Sequence, residues 1–296
     1  MKQQIDFWQF IEMFPNDDTC LEVIFQSIYG NPFNCPKCNQ PSTFYRIKKR
    51  KSYQCGNCKY HLYPLSRTIM QGSTTSLRRW FYAIYLFATS KNGISANELC
   101  SHLGVTFKTA WRIGHKIRTV MKIQHLKLSN IIEADEALLG GKAEGKRGWG
   151  AEKKVCLLGL VEKQGNIQVV PLEARSRDNI LPVINEIVEK GTIIHTDEFR
   201  AYNVLPAYGY EHHNVSHSKY QWRYGDVHTN SIEGYWGNLK KSIYSTYTFV
   251  SRKHLQKYLD EFSFRYSYRN NENIFNEILK NITNYGNNRE SNFHLE

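Results

Sequence analysis

Three acidic side chains interrupt apolar stretches of this chain. Asp135 lies inside residues 131–141, which read I-I-E-A-D-E-A-L-L-G-G; Asp197 follows Thr192-Ile-Ile-His-Thr196; Glu233 sits in H-T-N-S-I-E-G-Y-W-G-N-L-K-K, residues 228–241. A carboxylate among apolar residues is costly to bury unless it is hydrogen-bonded, paired or bound to a metal. For any one acid alone, a surface salt bridge is the simpler reading. Three of them, each at the end or edge of an apolar element, favour a shared role. Hard oxygen ligands suit Mg2+ or Mn2+, and two such ions can clamp the attacking and leaving oxygens of a phosphoryl transfer. Read as a helix, the third segment puts Ile232, Trp236, Leu239 and Ile243 on one apolar face. Asn230 lies one turn before Glu233. Lys240 lies two turns after it, about 20° out of line and about 10 Å along the axis, where it could position a phosphate. Glu133, Glu136 and Glu198 are set aside as ligands, although Glu133 shares a strand face with Asp135 and could support it.

A second kind of chemistry is written in cysteines. C-P-K-C at Cys35 and Cys38 and C-G-N-C at Cys55 and Cys58 are separated by sixteen residues. Four thiolates in two such pairs suit a tetrahedral Zn2+ site. A redox pair or an iron–sulfur cluster would use the same residues, but neither needs the basic hairpin between the pairs. Residues 46–51 carry five cations in six positions; Lys48, Lys49 and Arg50 at the tip are candidates for DNA phosphates, against the plainer reading of a solvated turn. Cys20, Cys100 and Cys156 have no partner in the sequence and read as core residues.

These side chains need a scaffold. Residues 7–28 read as two short helices broken at Pro15 and Asn16. Residues 76–90 read as a buried helix. Ser95 with Glu98 forms a capping box for a second helix ended by Gly104, and a basic helix follows from Thr106 to Met121. That is a helix-turn-helix order, with Lys108, Thr109 and Arg112 where base edges are met; His115, Lys116 and Arg118 are expected to project too. An ordinary helical hairpin is the plainer alternative. Residues 131–139, 154–161 and 166–172 read as three strands in a meander, 140–150 as a mobile loop, 178–190 as an amphipathic helix and 192–196 as a fourth strand ending at Asp197. By analogy with known topologies this order is α/β and RNase H-like. Residues 208–217 read as a fifth strand whose histidines, His212, His213 and His217, face DNA or the sheet edge. Residues 251–271 form a further helix with Arg252, Lys253, Lys257, Arg265 and Arg269 available to phosphates. A short helix and a disordered tail close the chain.

Lys and Arg exceed Asp and Glu by 39 − 27 = 12, and the pI is about 9.3. An excess of that size points to polyanions, nucleic acid first, rather than to solubility alone. Hydrophobic residues at 41% support a sizeable core. No apolar run reaches the roughly 18–20 residues needed to span a bilayer and no secretory signal is visible. The expected location is therefore cytoplasmic, and the paired cysteines are expected to hold metal rather than form disulfides.

The segments E-A-D-E-A-L-L-G-G-K, H-T-D-E-F-R-A-Y, H-T-N-S-I-E-G-Y-W-G-N-L-K and Y-L-D-E-F-S-F-R-Y, with the ribbon before them, resemble the zinc-ribbon insertion-sequence transposases of the DDE superfamily, bacterial relatives of the Merlin transposons. The resemblance implies an RNase H-like catalytic domain with Asp135 and Asp197 as the first two acids. Glu233 followed by Lys240 matches the superfamily's acid-then-lysine pattern. The third position of this family is commonly asparagine, and Asn230 matches it, so the third ligand is Glu233 or Asn230, with Glu233 ranked first for its charge. Lys241 is a further candidate contact to DNA. The resemblance also implies double-stranded DNA as partner (terminal inverted repeats and target), a homodimer or higher assembly on paired ends, and work at a bacterial nucleoid. The expected layout is N-terminal helices at 1–30, zinc ribbon at 31–70, helix-turn-helix at 71–125, catalytic domain at 126–275 and closing helix and tail at 276–296. A nuclease on the same fold and a zinc-dependent DNA-binding regulator without catalysis are the rival readings.

Overall fold

The protein is described from a computed structural model covering residues 5–30, 33–123, 127–140, 154–214, 229–271 and 273–285. The expected loop at 141–150, His217 and the expected tail lie outside these residues. The chain divides into two compact units, one drawn from Met1–Ser90, Ile94–Val120 and Asn271–Glu296, the other from Lys91–Gly93 and Met121–Asn270. Among the described residues no helix is long and apolar enough to cross a membrane.

The first unit opens with α1 (Phe7–Met13) and α2 (Asp17–Tyr29), started by Asp6 and Asn16, whose side chains accept the backbone N–H of Gln9 and Thr19. Such caps satisfy amides that a helix leaves without internal partners. Then β1 (Phe44–Ile47), β2 (Ser52–Cys55) and β3 (His61–Leu62) form an antiparallel ribbon in that order. Helices α3 (Leu77–Thr89), α4 (Ala96–Leu103) and α5 (Phe107–Val120) follow. Ser95 and Glu98 form the expected capping box on α4, and Gly104 takes the left-handed backbone, φ 59°, that turns the chain into α5.

The basic face of α5 is shorter than expected. Phe107, Lys108, Trp111 and Arg112 are exposed, but His115 and Arg118 are buried. Arg118 lies over the Phe87 ring and donates to the Ile94 carbonyl at 3.2 Å, while Lys116 donates to the Ile69 carbonyl at 2.6 Å. The alkyl stems and flat faces of long cationic side chains can cover apolar surface, and here they do so in place of projecting.

The closing helix, α9 (Ile274–Thr283), also belongs to the first unit. Its buried Phe275, Ile278, Leu279 and Ile282 follow helical spacing. Phe275 packs on Phe14 and Phe81 with ring centroids 5.5 and 6.2 Å away, and Asn281 donates to the Val120 carbonyl at 2.9 Å.

The second unit is a five-stranded sheet. Its strands are β4 (Ile131–Leu139), β5 (Val155–Glu162), β6 (Ile167–Leu172), β7 (Ile193–Thr196) and β8 (Glu211–Asn214), in the spatial order β6-β5-β4-β7-β8. The first three form an antiparallel meander; β7 joins β4 in parallel and β8 joins β7 in parallel. This is the RNase H-like arrangement expected from the sequence. Two apolar layers cover the sheet. On one face, Ile132, Ala134, Leu158 and Leu160 pack with α6 (Arg177–Ile187) and with the 3-10 helix Arg200–Tyr208 through Tyr202 and Leu205. On the other, Ala137, Leu157 and Val161 pack with α7 (Asn230–Ser242) and α8 (Arg252–Ser267). Strand β4 runs through the middle, so a side chain near its centre can be shielded on both faces.

Candidate active site

Strand alternation on β4 turns Glu133 and Asp135 toward α7 and Glu136 toward the opposite layer. The parallel register pairs Glu133 with His195. Two residues further along each strand, that register brings Asp135 level with Asp197, just beyond the end of β7. Carboxylate oxygens of Asp135, Glu136 and Asp197 lie within 4.8 Å of one another. The sequence sets Glu136 aside and turns to Glu233; the structure brings Glu136 to the two aspartates, while Glu233 is outside this group.

Each member of the cluster is held differently. Asp135 accepts from the indole N–H of Trp236 at 3.1 Å. Burial, then the neighbouring charge of Glu136, push its carboxyl up to about 6, with Asp197 adding to the shift and the indole bond opposing it. Glu136 has a fully buried side chain. Its Oε1 accepts from the Tyr202 hydroxyl at 2.6 Å, and its Oε2 accepts from Arg175 Nε at 3.1 Å and lies 3.0 Å from Nη2 as an ion pair. Burial raises its pKa even so, because the hydroxyl and the guanidinium only partly offset the loss of water. Asp197 is about a quarter exposed (27%). Its Oδ1 accepts the Phe199 backbone N–H at 2.9 Å, and its Oδ2 accepts Arg175 Nη2 at 3.0 Å. The Arg175 guanidinium lies 3.9 Å from the Phe199 ring centroid.

Helix α7 is seated on β4 by Glu133. This carboxylate is 1% exposed and accepts three bonds, from Ser231 N at 2.8 Å, Ser231 Oγ at 2.7 Å and Ile232 N at 3.1 Å. Thr229, the residue at the cap position, makes no side-chain cap bond and donates instead to Glu233 Oε1 at 3.0 Å. The first-turn amides of α7 therefore find their acceptor on a strand 98 residues earlier, where the helix dipole also favours a negative charge. Gly159, paired with Asp135 across β4 and β5, lets the helix come close. A Cβ there would stand 2.6 Å from Ile232 Cδ1 and 2.7 Å from the Trp236 ring. Asn230, Glu233 and Lys241 are exposed on α7, and Lys240 is half-buried.

Four residues behind this site escape a reading of the sequence. Arg175 and Trp236 serve the acids through contacts 22 to 101 residues long in the chain. Glu136 looks like a surface companion of Asp135. Gly159 did leave a signal: a glycine inside the apolar run K-V-C-L-L-G-L-V marks close approach of another element.

In the ribbon, one sulfur from each of Cys35, Cys38, Cys55 and Cys58 falls within 4.8 Å of the others. Cys35 Sγ and Cys58 Sγ are 3.7 Å apart. Tetrahedral zinc with bonds of about 2.3 Å spaces its sulfurs about 3.8 Å apart, so the four residues fit that ion. The thiols act on one another. Burial would raise Cys55, but the Ser42 hydroxyl and nearby amides pull it down, while a backbone amide lowers Cys58 less than burial and the neighbouring thiols push it up. The cluster therefore holds fewer than four thiolates until a cation neutralises it. Lys48, Lys49 and Arg50 are exposed at the turn between β1 and β2. Arg46 is not part of that tip: it pairs with Asp18 at 2.7 Å and folds over the carbonyls of Ile47 and Arg50. Thr109 is half-buried, its hydroxyl 3.0 Å from that of Thr106. His212 meets the Thr196 hydroxyl at 2.9 Å and His213 meets Glu211 at 2.7 Å.

A family model described as an ISXO2-like transposase domain matches residues 127–267, and one described as a transposase zinc-ribbon domain matches residues 15–61. The chain belongs to this transposase family. It is similar to an uncharacterized protein in transposable element ISH50 of Halobacterium salinarum, 25% identical over 278 residues, covering 86% of this chain and 92% of the relative. An uncharacterized transposase-like protein of Haemophilus influenzae is 30% identical over 101 residues, covering 33% of this chain and 76% of the relative. Among solved structures, the Mos1 strand transfer complex aligns over 71% of this chain and 76% of its own at 13% identity and a TM-score of 0.31. A simian T-cell lymphotropic virus intasome aligns over 56% of this chain at 14% identity and a TM-score of 0.31; this chain spans 63% of that one, just under two thirds.

Proposed function

We propose that the second unit cuts DNA strands at the ends of its own element and joins them to target DNA, with Asp135 and Asp197 holding divalent cations, Mg2+ or Mn2+. The observation that carries this reading is the meeting of two acids, one from the centre of β4 and one from the end of β7, within 4.8 Å beside an otherwise apolar sheet. Carboxylate oxygens are the donors such ions take. When bound, the ions supply charge neutralisation at the scissile phosphodiester and a more acidic attacking water or 3′-hydroxyl. The chain's own residues do the positioning. The Trp236 indole orients Asp135, and the Phe199 amide orients Asp197. Helix α7, seated by Glu133, supplies the third ligand, Glu233 in first place and Asn230 as the alternative, and Lys240 holds a phosphate near the cut. Lys48, Lys49, Arg50 and Lys241 meet the backbone of duplex DNA, while Lys108, Thr109 and Arg112 meet base edges in the terminal inverted repeats. Two or more copies act together on paired ends.

The test is Asp197→Asn. Strand cleavage and joining of pre-cut ends should both vanish, with binding to the element's ends unchanged. Cleavage at the wild-type rate defeats the assignment. Wild-type protein that hydrolyses ends but never joins them is a nuclease on this fold, and protein that binds without any metal-dependent nicking is a regulator.

A further inference from the structure

Three carboxylates gather at the site, yet one of them is already fully engaged. Both oxygens of Glu136 are engaged, Oε1 by the Tyr202 hydroxyl and Oε2 by a hydrogen bond from Arg175 Nε and an ion pair with Nη2. Tyr202 is itself completely buried. The same Arg175 Nη2 that reaches Glu136 also reaches Asp197 Oδ2, at 3.0 Å in both cases. Arg175 therefore gives Glu136 one hydrogen bond and a second close ion contact, and gives Asp197 one hydrogen bond, with its guanidinium 3.9 Å from the Phe199 ring centroid. A guanidinium stays charged at any pH the protein meets. A divalent cation approaching Asp197 Oδ2 must take that oxygen from Arg175. Glu136 decides how hard that is: its hydrogen bond from Nε and its ion pair with Nη2 keep the guanidinium in place when the bond to Asp197 is given up.

We propose that Glu136 is not a metal ligand but the resting partner of Arg175, and that the pair sets how readily Asp197 is released to a divalent cation. The proposal rests on the reading of Asp135 and Asp197 as the metal site. It makes Glu136 and Arg175 positioning residues that act through Asp197. Without Glu136, the half-buried guanidinium is left to its bond with Asp197 at this site, and the cation must compete with that ion pair. Without Arg175 there is nothing to compete with.

Mn2+ binding to the full-length, zinc-loaded protein, measured by calorimetry, tests this without any turnover. Glu136→Gln should weaken binding by about tenfold or more, the range found when groups behind metal ligands are removed. Arg175→Met should bind at least as tightly as wild type. The decisive variant is the double one. Glu136→Gln with Arg175→Met should bind more tightly than Glu136→Gln alone, because the competitor is gone. A direct ligand gives the opposite pattern, with the double variant as weak as Glu136→Gln, and that result overturns the proposal. So does unchanged binding in Glu136→Gln. If Glu136→Gln does not fold, Arg175→Met still decides, since weakened binding there removes the idea of competition. Asp135→Asn and Asp197→Asn separate the two levels. If both keep full Mn2+ binding, the metal-site reading itself fails; if both lose it while the Glu136 and Arg175 pattern is absent, only this inference fails.

Discussion

Asp135 is the residue where burial and function pull hardest against each other. Its carboxyl is pushed up to about 6 from 3.8. The sign follows from linkage: the folded chain binds this proton more tightly than the unfolded chain, so the stabilising contribution is complete below about pH 3.8 and is lost as pH rises through about 6. At neutral pH the site carries a charge it holds reluctantly, and the divalent cation proposed there would relieve that cost. Melting temperature should therefore rise more on adding Mn2+ at about pH 7.5 than at about pH 5. Asp135→Asn should remove the difference, and an equal rise at both pH values would rule out this carboxyl as its source. Asp135 and Asp197 stand out in the sequence because one lies inside an apolar strand and the other directly follows one, and the structure brings their carboxylates together. The company they keep does not. Glu136 is one residue from Asp135 and looks like an ordinary exposed neighbour, and Arg175 lies 39 residues from Glu136 in the chain. Nothing local pairs them; the fold does.

Among elements, α7 shows the same divide. The cap of α4 could be read directly, since Ser95 and Glu98 are three residues apart and Gly104 ends the helix. The start of α7 could not, because its acceptor is Glu133, on a strand. Replacing Glu133 by Ala leaves two backbone amides and a hydroxyl without this buried acceptor. The expected loss is about 3 kcal/mol of stability, read by chemical denaturation, and Glu133→Gln, which keeps one acceptor oxygen, should lose less. Equal stability of the alanine variant and wild type would mean that α7 is seated by its apolar face alone. The order of α4, the Gly104 turn and α5 was legible, but not the surface of α5. Basic residues on α5 read as one stripe, yet only the first two turns are open, because Arg118 and Lys116 are spent on Phe87, Ile94 and Ile69.

On the scale of the whole molecule, the chain leaves its first unit, builds the second and then returns. No periodicity reveals such a return; an amphipathic helix says that it must be covered, not by what. The expected layout gives residues 276–296 as a closing helix and tail, and in the structure Phe275, Ile278, Leu279 and Ile282 of that helix are buried in the first unit. Ending the chain after Asn271 should therefore expose Phe14 and Phe81, lower the melting temperature of the ribbon-bearing unit and weaken DNA binding. A truncated protein that binds element ends as well as the full chain would show that α9 is dispensable there.

The position of α9 also has a consequence in time. A ribosome releases the N-terminal helices, the ribbon and the paired helices first, yet the helix that closes their core emerges only after every residue of the second unit has been made. A nascent or prematurely terminated chain holds the ribbon and the paired helices without the helix that packs on Phe14 and Phe81. The core of the first unit is thereby closed only after the residues of the second have been made.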